Sequence, residues 1–391
     1  MDKQELLNEI KQRNTIKVRF DVNKLQQNFD KFAQFGQVYY PLKSGSDEVL
    51  LQELLPMINS GNHGFSIKIM AHYEKLKKLG VPVSRINLID VQAEDSFVKF
   101  LYNEGVRNFT FDNMDSLKNF AKYADAKDCK IHVRLNISEV FKNILPNDEV
   151  THLGGSLAET KAMCQVLNKL NCTDYGISFY IQKELKNTPS ALKTMLDYIM
   201  RNYKDSGLNF INIGGSKTPE ELTEIQPKLK EVQENLGVEY ILLEPGRYLA
   251  GNTMDMVSRI FRTKQVQGKE VVILKNGLYS GLLDEKLYNK KFDYRLEDEE
   301  GNQTKIERQK TKEATHEFML CGQSSDSGDR MGLCYVPETA AHLLKANTNV
   351  IVKDVGTYCL ELQVPLGGDI QFEVIKSNPA VSQTEAATIE L

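Results

Sequence analysis

The first two thirds of the sequence alternate between short β-like runs and helical stretches. Eight such runs occur, and apolar side chains at helical spacing, such as Leu50, Leu54 and Ile58, lie between them. Eight successive β/α units predict a TIM barrel. A doubly wound open sheet is the alternative, although it seldom needs eight evenly spaced units. The runs are Val38–Leu42, Gly64–Ile67, Ile86–Ile89, Asn108–Phe111, Lys130–Asn136, Tyr175–Tyr180, Asn209–Ile213 and Tyr240–Leu243.

The last third of the sequence has a different pattern, in which strand-like runs are separated by turns that contain glycine. One more such run, Thr15–Phe20, precedes the barrel. We therefore predict an α/β chain with a barrel at residues 28–262 and a β domain built from both chain ends, residues 1–27 and 263–391. The charged segment Arg295–Thr315 is predicted to be an exposed hairpin or a mobile loop. The runs are Val271–Lys275, Phe318–Cys321, Asn349–Val352, Cys359–Leu362 and Ile370–Val374.

Composition and charge exclude several classes of protein. The 49 basic and 53 acidic residues give a net charge of −4, so no positive field is available to hold nucleic acid. No apolar run approaches the ~20 residues of a membrane span, and the charged start, MDKQELLNEIKQRN, is unlike a signal peptide. The six cysteines form no CxxC pair, and His63 and His72 lack a partner cluster. We expect a cytoplasmic protein with reduced thiols and no metal site.

Residues suited to catalysis lie at the carboxyl ends of five predicted barrel strands, where barrel enzymes carry their active sites. Lys43 follows the first strand, Arg134 lies in the fifth and Tyr180 ends the sixth. The seventh strand runs into Gly214-Gly215-Ser216. The eighth runs into Glu244-Pro245-Gly246-Arg247.

These residue types together match the needs of a pyridoxal 5'-phosphate (PLP) site. A desolvated lysine can form a Schiff base, and a glycine turn that leads into a helix suits a phosphate. A carboxylate at the same opening, here Glu244, could hold a pyridinium nitrogen. Each feature alone has a more common interpretation. Lys43 could be a surface lysine, the glycines could form an ordinary turn, and Glu244 could be a salt-bridge partner. The combination at barrel-strand ends predicts PLP.

The ordered motifs resemble the fold-type III PLP decarboxylases, which act on ornithine, diaminopimelate, lysine, arginine and carboxynorspermidine. The resemblance covers about residues 16–376, and its most specific parts are EPGRYL and the surroundings of Lys43. It implies a PLP-binding (β/α)8 barrel with a C-terminal β domain, of the alanine racemase and ornithine decarboxylase type. It also implies a homodimer with shared active sites and a place in polyamine biosynthesis. The motifs are YYPLKSGSDEVLLQELL, GFSIKIMAHYEKLKKLGV, HVRLN, GISFY, INIGG, EPGRYL, NGLYSGLLDE, GQSSDSGD and DVGTYC.

The resemblance implies a role for each matching residue. Lys43 would bind PLP as a Schiff base, Glu244 would pair with the pyridine nitrogen, and Arg134 would lie near the phenolic oxygen. Tyr180 takes the place of a histidine that stacks on the ring. Asp326 would enter the partner's active site. The phosphate would be held by Gly214, Gly215, the turn from Glu244 through Gly246 to Arg247, and Tyr358.

Four further positions depart from the family pattern. Ser66 stands where an acid is usual, His72 where a glutamate is usual, and Ser216 where the third phosphate glycine is usual. Ser325 replaces the cysteine that commonly reprotonates the substrate, and a serine hydroxyl is a poor proton donor near neutral pH. The sequence offers three other donors, which are Tyr180, Lys183 and Cys359.

Three functional interpretations follow from this pattern. In the first, the chain is a PLP-dependent decarboxylase that removes the α-carboxylate of a basic or diamino acid, whose distal ammonium Asp326 could bind. In the second, it is a catalytically altered or non-catalytic regulatory paralogue. In the third, it is a PLP enzyme with a racemase-like outcome. Retention of Lys43, Glu244, Tyr358 and Asp326 favours catalysis.

Overall fold

The computed structural model describes residues 2, 16–141, 151–181, 189–287, 289–359, 370–376 and 387–389. The chain divides into two compact units. One is Gln26–Tyr248, and the other combines Met1–Leu25 with Leu249–Leu391. The predictions for Lys183 and for most of Cys359–Leu362 concern residues outside the described ranges.

The unit Gln26–Tyr248 is a closed barrel of eight parallel strands, which confirms the predicted fold class. Neighbouring strands pair in sequence order, and the eighth closes on the first through Gln37↔Leu242 and Val38↔Leu243. Most strand residues are buried, as expected for parallel strands covered by helices. The barrel strands are Gln37–Pro41, Gly64–Ile67, Ile86–Leu88, Asn108–Phe111, Lys130–Arg134, Asp174–Ser178, Phe210–Asn212 and Tyr240–Leu243.

Helices alternate with these strands, and two of them begin at signals that the sequence predicts. Asp47 caps one helix by accepting a hydrogen bond from the Val49 amide. Thr218 forms a capping box with Glu221, and Pro219 occupies the first helical turn. The helices are Val22–Ala33, Glu48–Asn59, Met70–Lys78, Asp95–Asn103, Met114–Phe120, Ser138–Phe141, Leu157–Lys169, Pro189–Tyr203 and Pro219–Leu236.

The second unit is a mixed sheet to which both ends of the chain contribute. Ile16–Asp21 pairs antiparallel with Met254–Val266 and parallel with Ile370–Ile375. From residue 247 onward the chain also forms four short helical segments, which are Arg247–Ala250, Gly251–Thr253, Asp284–Leu287 and Glu338–Leu343. The strands of the described segments are Ile16–Asp21, Met254–Val266, Lys269–Leu274, Tyr294–Glu297, Gln303–Ile306, His316–Gly322, Arg330–Val336, Asn349–Val352, Ile370–Ile375 and Ala387–Ile389.

The charged segment 295–315 forms a hairpin, which is one of its two predicted forms. Tyr294–Glu297 pairs antiparallel with Gln303–Ile306. Its continuation carries Arg308, whose Nη2 lies 2.5 Å from Oε1 of the buried Glu285. Tyr294 donates a second hydrogen bond to Glu285 at 2.8 Å. Part of the charge run therefore forms a structural ion pair with the short helix Asp284–Leu287.

Three strands of the second unit differ from the sequence prediction, and one of them is Ala387–Ile389, which pairs with Ile370–Ile375 and was not predicted. Met254–Val266 pairs with Ile16–Asp21, whereas the sequence prediction assigned the chain up to residue 262 to the barrel. Arg330–Val336 pairs with His316–Gly322 and was not predicted as a strand. Short alternating runs predict a strand but do not say which sheet it joins.

No helix in the described part of the chain is long and apolar enough to cross a membrane. The six cysteine side chains are free, and five of them are buried.

The sixth barrel strand contains a glycine that no larger residue can replace without movement of the backbone. A Cβ atom at Gly176 would lie 2.1 Å from the Phe210 carbonyl oxygen on the neighbouring strand. We predict that Gly176→Ala lowers the free energy of unfolding by about 2 kcal/mol or more. Gly251→Ala is the control, because its Cβ would meet only the Thr357 hydroxyl at 3.6 Å. Urea unfolding followed by circular dichroism measures both variants, and equal stabilities would contradict the prediction.

Candidate active site

Three turns interlock at the carboxyl ends of the first, seventh and eighth barrel strands. A Cβ atom on Gly246 would lie 2.1 Å from Ser44 Oγ, and one on Gly215 would lie 2.3 Å from the Glu244 carbonyl oxygen. Only glycine allows such close approach. The turn after the eighth strand therefore contacts the turn Leu42–Ser44, which carries Lys43. It also contacts Gly214-Gly215-Ser216, which we call the glycine turn.

Lys43 lies in the single helical turn Leu42–Ser44, directly after the first barrel strand. Its side chain is accessible to water. The surrounding protein nevertheless displaces enough solvent to lower the pKa of the amine, and the charges of Arg134, Lys68 and Arg247 lower it further. The Glu244 carboxylate acts in the opposite direction. A lysine with a lowered pKa is neutral more often, as a nucleophilic amine must be.

Glu244 is held both by its backbone and by its side chain. Its amide donates to the Gly214 carbonyl at 2.9 Å, which joins the eighth strand to the glycine turn. The hydroxyl of Ser66 donates to Glu244 Oε1 at 2.8 Å. Ser66 is fully buried in the second barrel strand. The sequence marked Ser66 only as a departure, and its contact with Glu244 becomes visible in the folded barrel.

The glycine turn has the left-handed backbone that its sequence suggests. Gly214 has φ +69°, and its amide donates to Asn212 Oδ1 at 2.9 Å. Ser216 also adopts a left-handed φ, of 67°, although it is not glycine. Lys217 is buried, and its Nζ donates to Ser216 Oγ at 3.1 Å. Sequence reasoning missed Lys217, although a basic residue directly after a predicted phosphate turn was a usable signal.

Arg134 is the last residue of the fifth strand and is partly buried. Burial lowers the pKa of its guanidinium, while the charges of Glu244 and Asp112 and the Tyr180 phenol raise it. Tyr180 follows the sixth strand with 39% of its surface exposed. The structure thus brings Arg134 into the electrostatic neighbourhood of both Glu244 and Tyr180.

A buried histidine supports the glycine turn from inside the barrel. His132 Nε2 lies 2.9 Å from Asn108 Oδ1, and Asn212 Nδ2 lies 3.2 Å from His132 Nδ1. These partners assign the proton to Nε2, since Nδ1 must accept from the amide. Burial lowers the pKa of His132 far below its usual value, so the ring stays neutral. The chain of hydrogen bonds ends at Gly214 and is a support that the sequence did not reveal.

Two side chains of the third helix contact neighbouring strand ends. His72 is buried, and its Nδ1 accepts from the Lys68 amide at 3.4 Å. Lys75 donates from Nζ to the Ser46 carbonyl at 2.8 Å and to Ser46 Oγ at 2.5 Å. Lys75 therefore anchors the chain just after Lys43.

Ser325 and Asp326 belong to the second unit, in the loop between two paired strands. Both are exposed, and Asp326 Oδ1 accepts from the Gly328 amide at 2.6 Å. The loop is organised by the buried Asp329, which sequence reasoning missed. The Asp329 carboxylate accepts from the amides of Leu278 at 2.7 Å and Ser324 at 3.3 Å.

Tyr358 also belongs to the second unit and has a left-handed φ of 62°. Such a conformation is uncommon for a bulky residue, and backbone strain of this kind clusters at functional sites. The neighbouring Cys359 is fully buried, and burial raises the pKa of its thiol to about 12.

The barrel residues fit a PLP molecule on their own geometry. The lysine has a lowered pKa, and a carboxylate faces the same opening. The glycines at positions 215 and 246 let the turns that carry these groups pack against one another, because a Cβ at either position would clash with the neighbouring turn. These features define the class of barrel enzymes that bind a pyridoxal cofactor.

Comparison with known families supports this class. Residues 19–251 match the family described as "Pyridoxal-dependent decarboxylase, pyridoxal binding domain". The chain therefore belongs to this family, and the cofactor of its barrel is pyridoxal 5'-phosphate. Both the predicted family and the predicted cofactor are confirmed.

Three similar proteins share the fold or part of the sequence at low identity. Ornithine decarboxylase from Neurospora crassa is 26% identical over 251 residues, which cover 60% of this chain and 48% of the relative. The match thus spans about half the length of that relative. Arginine decarboxylase from Paramecium bursaria Chlorella virus has a TM-score of 0.73 and 18% identity, with 95% of this chain and 99% of that chain covered. A lysine/ornithine decarboxylase from Vibrio vulnificus, solved with cadaverine, has a TM-score of 0.73 and 17% identity, with 96% and 98% covered. These structures share the fold.

Two substitutions near Lys43 should shift the pKa of its amine in opposite directions. Removal of a cation by Lys68→Met should raise the Lys43 pKa and slow the labelling of Lys43 by trinitrobenzenesulfonate at a fixed pH below that pKa. Glu244→Gln removes the charge that stabilises the ammonium, so it should lower the pKa and speed the labelling. Peptide mass spectrometry of cofactor-free protein measures the rate, with the exposed Lys161 as the internal reference. A shift in the same direction for both variants would refute this electrostatic account.

Proposed function

We propose that the chain is a PLP-dependent decarboxylase that removes the α-carboxylate of an amino acid, with Lys43 bound to the cofactor as a Schiff base. One observation carries the proposal: the turns that bear Lys43, the glycines and Glu244 interlock at one end of the barrel. The bound cofactor supplies the electron sink that loss of CO2 requires. The protein supplies the amine, the charges and the orientation.

In this proposal each barrel residue has a defined place around the cofactor. Glu244 pairs with the pyridine nitrogen, Arg134 lies near the phenolic oxygen and Tyr180 stacks on the ring. An aromatic side chain can replace a histidine in that stacking. The residues proposed to hold the phosphate are Gly214, Gly215, Gly246, Arg247 and Tyr358.

A basic or diamino acid is the proposed substrate. The relatives and structural neighbours are named as decarboxylases of ornithine, lysine and arginine, which are all basic amino acids. Asp326 is exposed and offers a carboxylate for a distal ammonium. A product of this class would be a diamine or related polyamine precursor, and the free cysteines agree with a reducing, cytoplasmic compartment.

The proton donor for the substrate carbanion is the least conventional part of the proposal. Ser325 occupies the position of the usual cysteine but lacks the acidity for efficient donation. Cys359 is a poor substitute, because its pKa is raised to about 12. Tyr180 is exposed and interacts electrostatically with Arg134, so we propose it as the donor to examine first.

A regulatory or redirected paralogue is the second candidate function, and the departures at Ser66, His72 and Ser325 favour it. A racemase-like outcome would share the cofactor but release no CO2. Screening amino acids for CO2 release with added PLP separates these alternatives from a decarboxylase.

Substitution of the proposed Schiff-base lysine tests the cofactor linkage. We predict that Lys43→Ala abolishes the yellow colour of bound PLP, which borohydride bleaches as it fixes the pyridoxyl group to the protein. No other amine occupies that turn. Lys68→Met is the matched control and should keep the chromophore. Absorbance before and after reduction, followed by peptide mapping, measures both variants. A pyridoxyl group attached to the reduced Lys43→Ala protein would show that another residue carries the cofactor.

The proposed homodimer, in which Asp326 serves the partner's site, predicts complementation between inactive variants. Mixing Lys43→Ala with Asp326→Ala protein should restore up to about a quarter of wild-type decarboxylation, because random pairing gives half hybrids with one intact site each. A mixture of Lys43→Ala with the Lys43→Ala/Asp326→Ala double variant should stay inactive. If subunits exchange but activity does not return, each site is built from one chain.

A further inference from the structure

We propose that the Ser66 hydroxyl is a positioning group that orients the Glu244 carboxylate toward the ring nitrogen of the cofactor. This inference rests on the proposed function, because it concerns the residue that pairs with the pyridine ring. It assigns a task to a position at which this chain departs from the family's usual acid.

The contact between the two side chains is direct, and its donor is sheltered from water. Ser66 Oγ donates to Glu244 Oε1 at 2.8 Å, and Ser66 is fully buried. Ser66 is paired with Pro41 in the first strand and with Asn87 in the third, so the sheet fixes its position. With Oε1 engaged by the hydroxyl, Oε2 is the oxygen that we assign to the ring nitrogen.

The Glu244 carboxylate needs such a restraint because two cations compete for it. Lys43 and Arg134 both interact electrostatically with Glu244. An unrestrained carboxylate can turn toward either of them and away from the ring nitrogen. A hydrogen bond to a charged group is strong enough to hold one orientation against that pull.

Serine also differs from the usual acid in its charge. A second carboxylate at hydrogen-bond distance from Glu244 would place two like charges where both cannot easily ionise. The neutral hydroxyl donates to Glu244 without that repulsion. The single carboxylate therefore keeps its charge for the pyridinium nitrogen.

The backbone of Glu244 is held independently of Ser66. Its amide donates to the Gly214 carbonyl, and Gly214 is tied in turn to Asn212. Substitution of Ser66 should therefore change the orientation of the Glu244 side chain and leave the interlocked turns in place.

Cofactor affinity tests this inference with two ligands that differ at the ring nitrogen. We expect Ser66→Ala to weaken the binding of PLP by about tenfold, the usual scale for one hydrogen bond to a charged group. The 1-deaza analogue of PLP has carbon in place of that nitrogen, so its affinity should be almost the same for wild type and Ser66→Ala. Equilibrium dialysis measures both ligands, and decarboxylation is not needed for the readout.

Two further variants separate positioning from packing. Ser66→Thr retains the hydroxyl and should recover most of the PLP affinity. Ser178→Ala is the matched control, because Ser178 is also a buried barrel serine and its Oγ makes no hydrogen bond within the described residues. It should bind both ligands as wild type does.

The outcomes distinguish this inference from the proposed function. If wild-type protein fails to bind PLP, the proposed function fails. If wild type binds PLP but Ser66→Ala binds it equally well, Ser66 has no positioning role. An equal loss of affinity for PLP and for the deaza analogue would also overturn the inference, because the effect would not depend on the ring nitrogen.

Discussion

The close approach of three backbone turns is the constraint on which the candidate site depends. Gly246 lies against Ser44, and Gly215 lies against the carbonyl oxygen of Glu244, at separations that no side chain would allow. Strands from distant parts of the sequence are thereby held at one opening. The steric demand at two glycines, rather than any single polar contact, brings the amine and the carboxylate into the same electrostatic neighbourhood.

Electrostatics then sets the properties of the groups that this packing assembles. Burial lowers the Lys43 pKa most, the charges of Arg134, Lys68 and Arg247 lower it further, and the charge of Glu244 raises it. An opening rich in cations suits a ligand that brings a phosphate. The Glu244 carboxylate is also attracted by several cations at once. Its hydrogen bond from Ser66 is therefore needed to fix the orientation of the carboxylate.

Local signals in the sequence predicted much of the fold and part of the site. The alternation of strands and helices, the capping box at Thr218 and the residues at strand ends all follow from short-range rules. The contacts of Ser66 with Glu244 and of His132 with Asn212 join positions 178 and 80 residues apart. Such pairs depend on strand register, which a single sequence does not specify. The role of Asp329 was missed because it also depends on a distant contact: its carboxylate accepts a hydrogen bond from the amide of Leu278, 51 residues away.

Ser216 shows how a departure from a family pattern can preserve a conformation. The left-handed φ of 67° is one that glycine adopts freely and that serine adopts at a cost. The turn keeps this shape because the flanking residues are held, with Gly214 bonded to Asn212 and to Glu244. Serine also adds a hydroxyl that accepts a hydrogen bond from the buried Lys217. The substitution therefore retains the backbone that a phosphate turn requires and ties a cation to that turn, so a changed residue at this position is compatible with a working cofactor site.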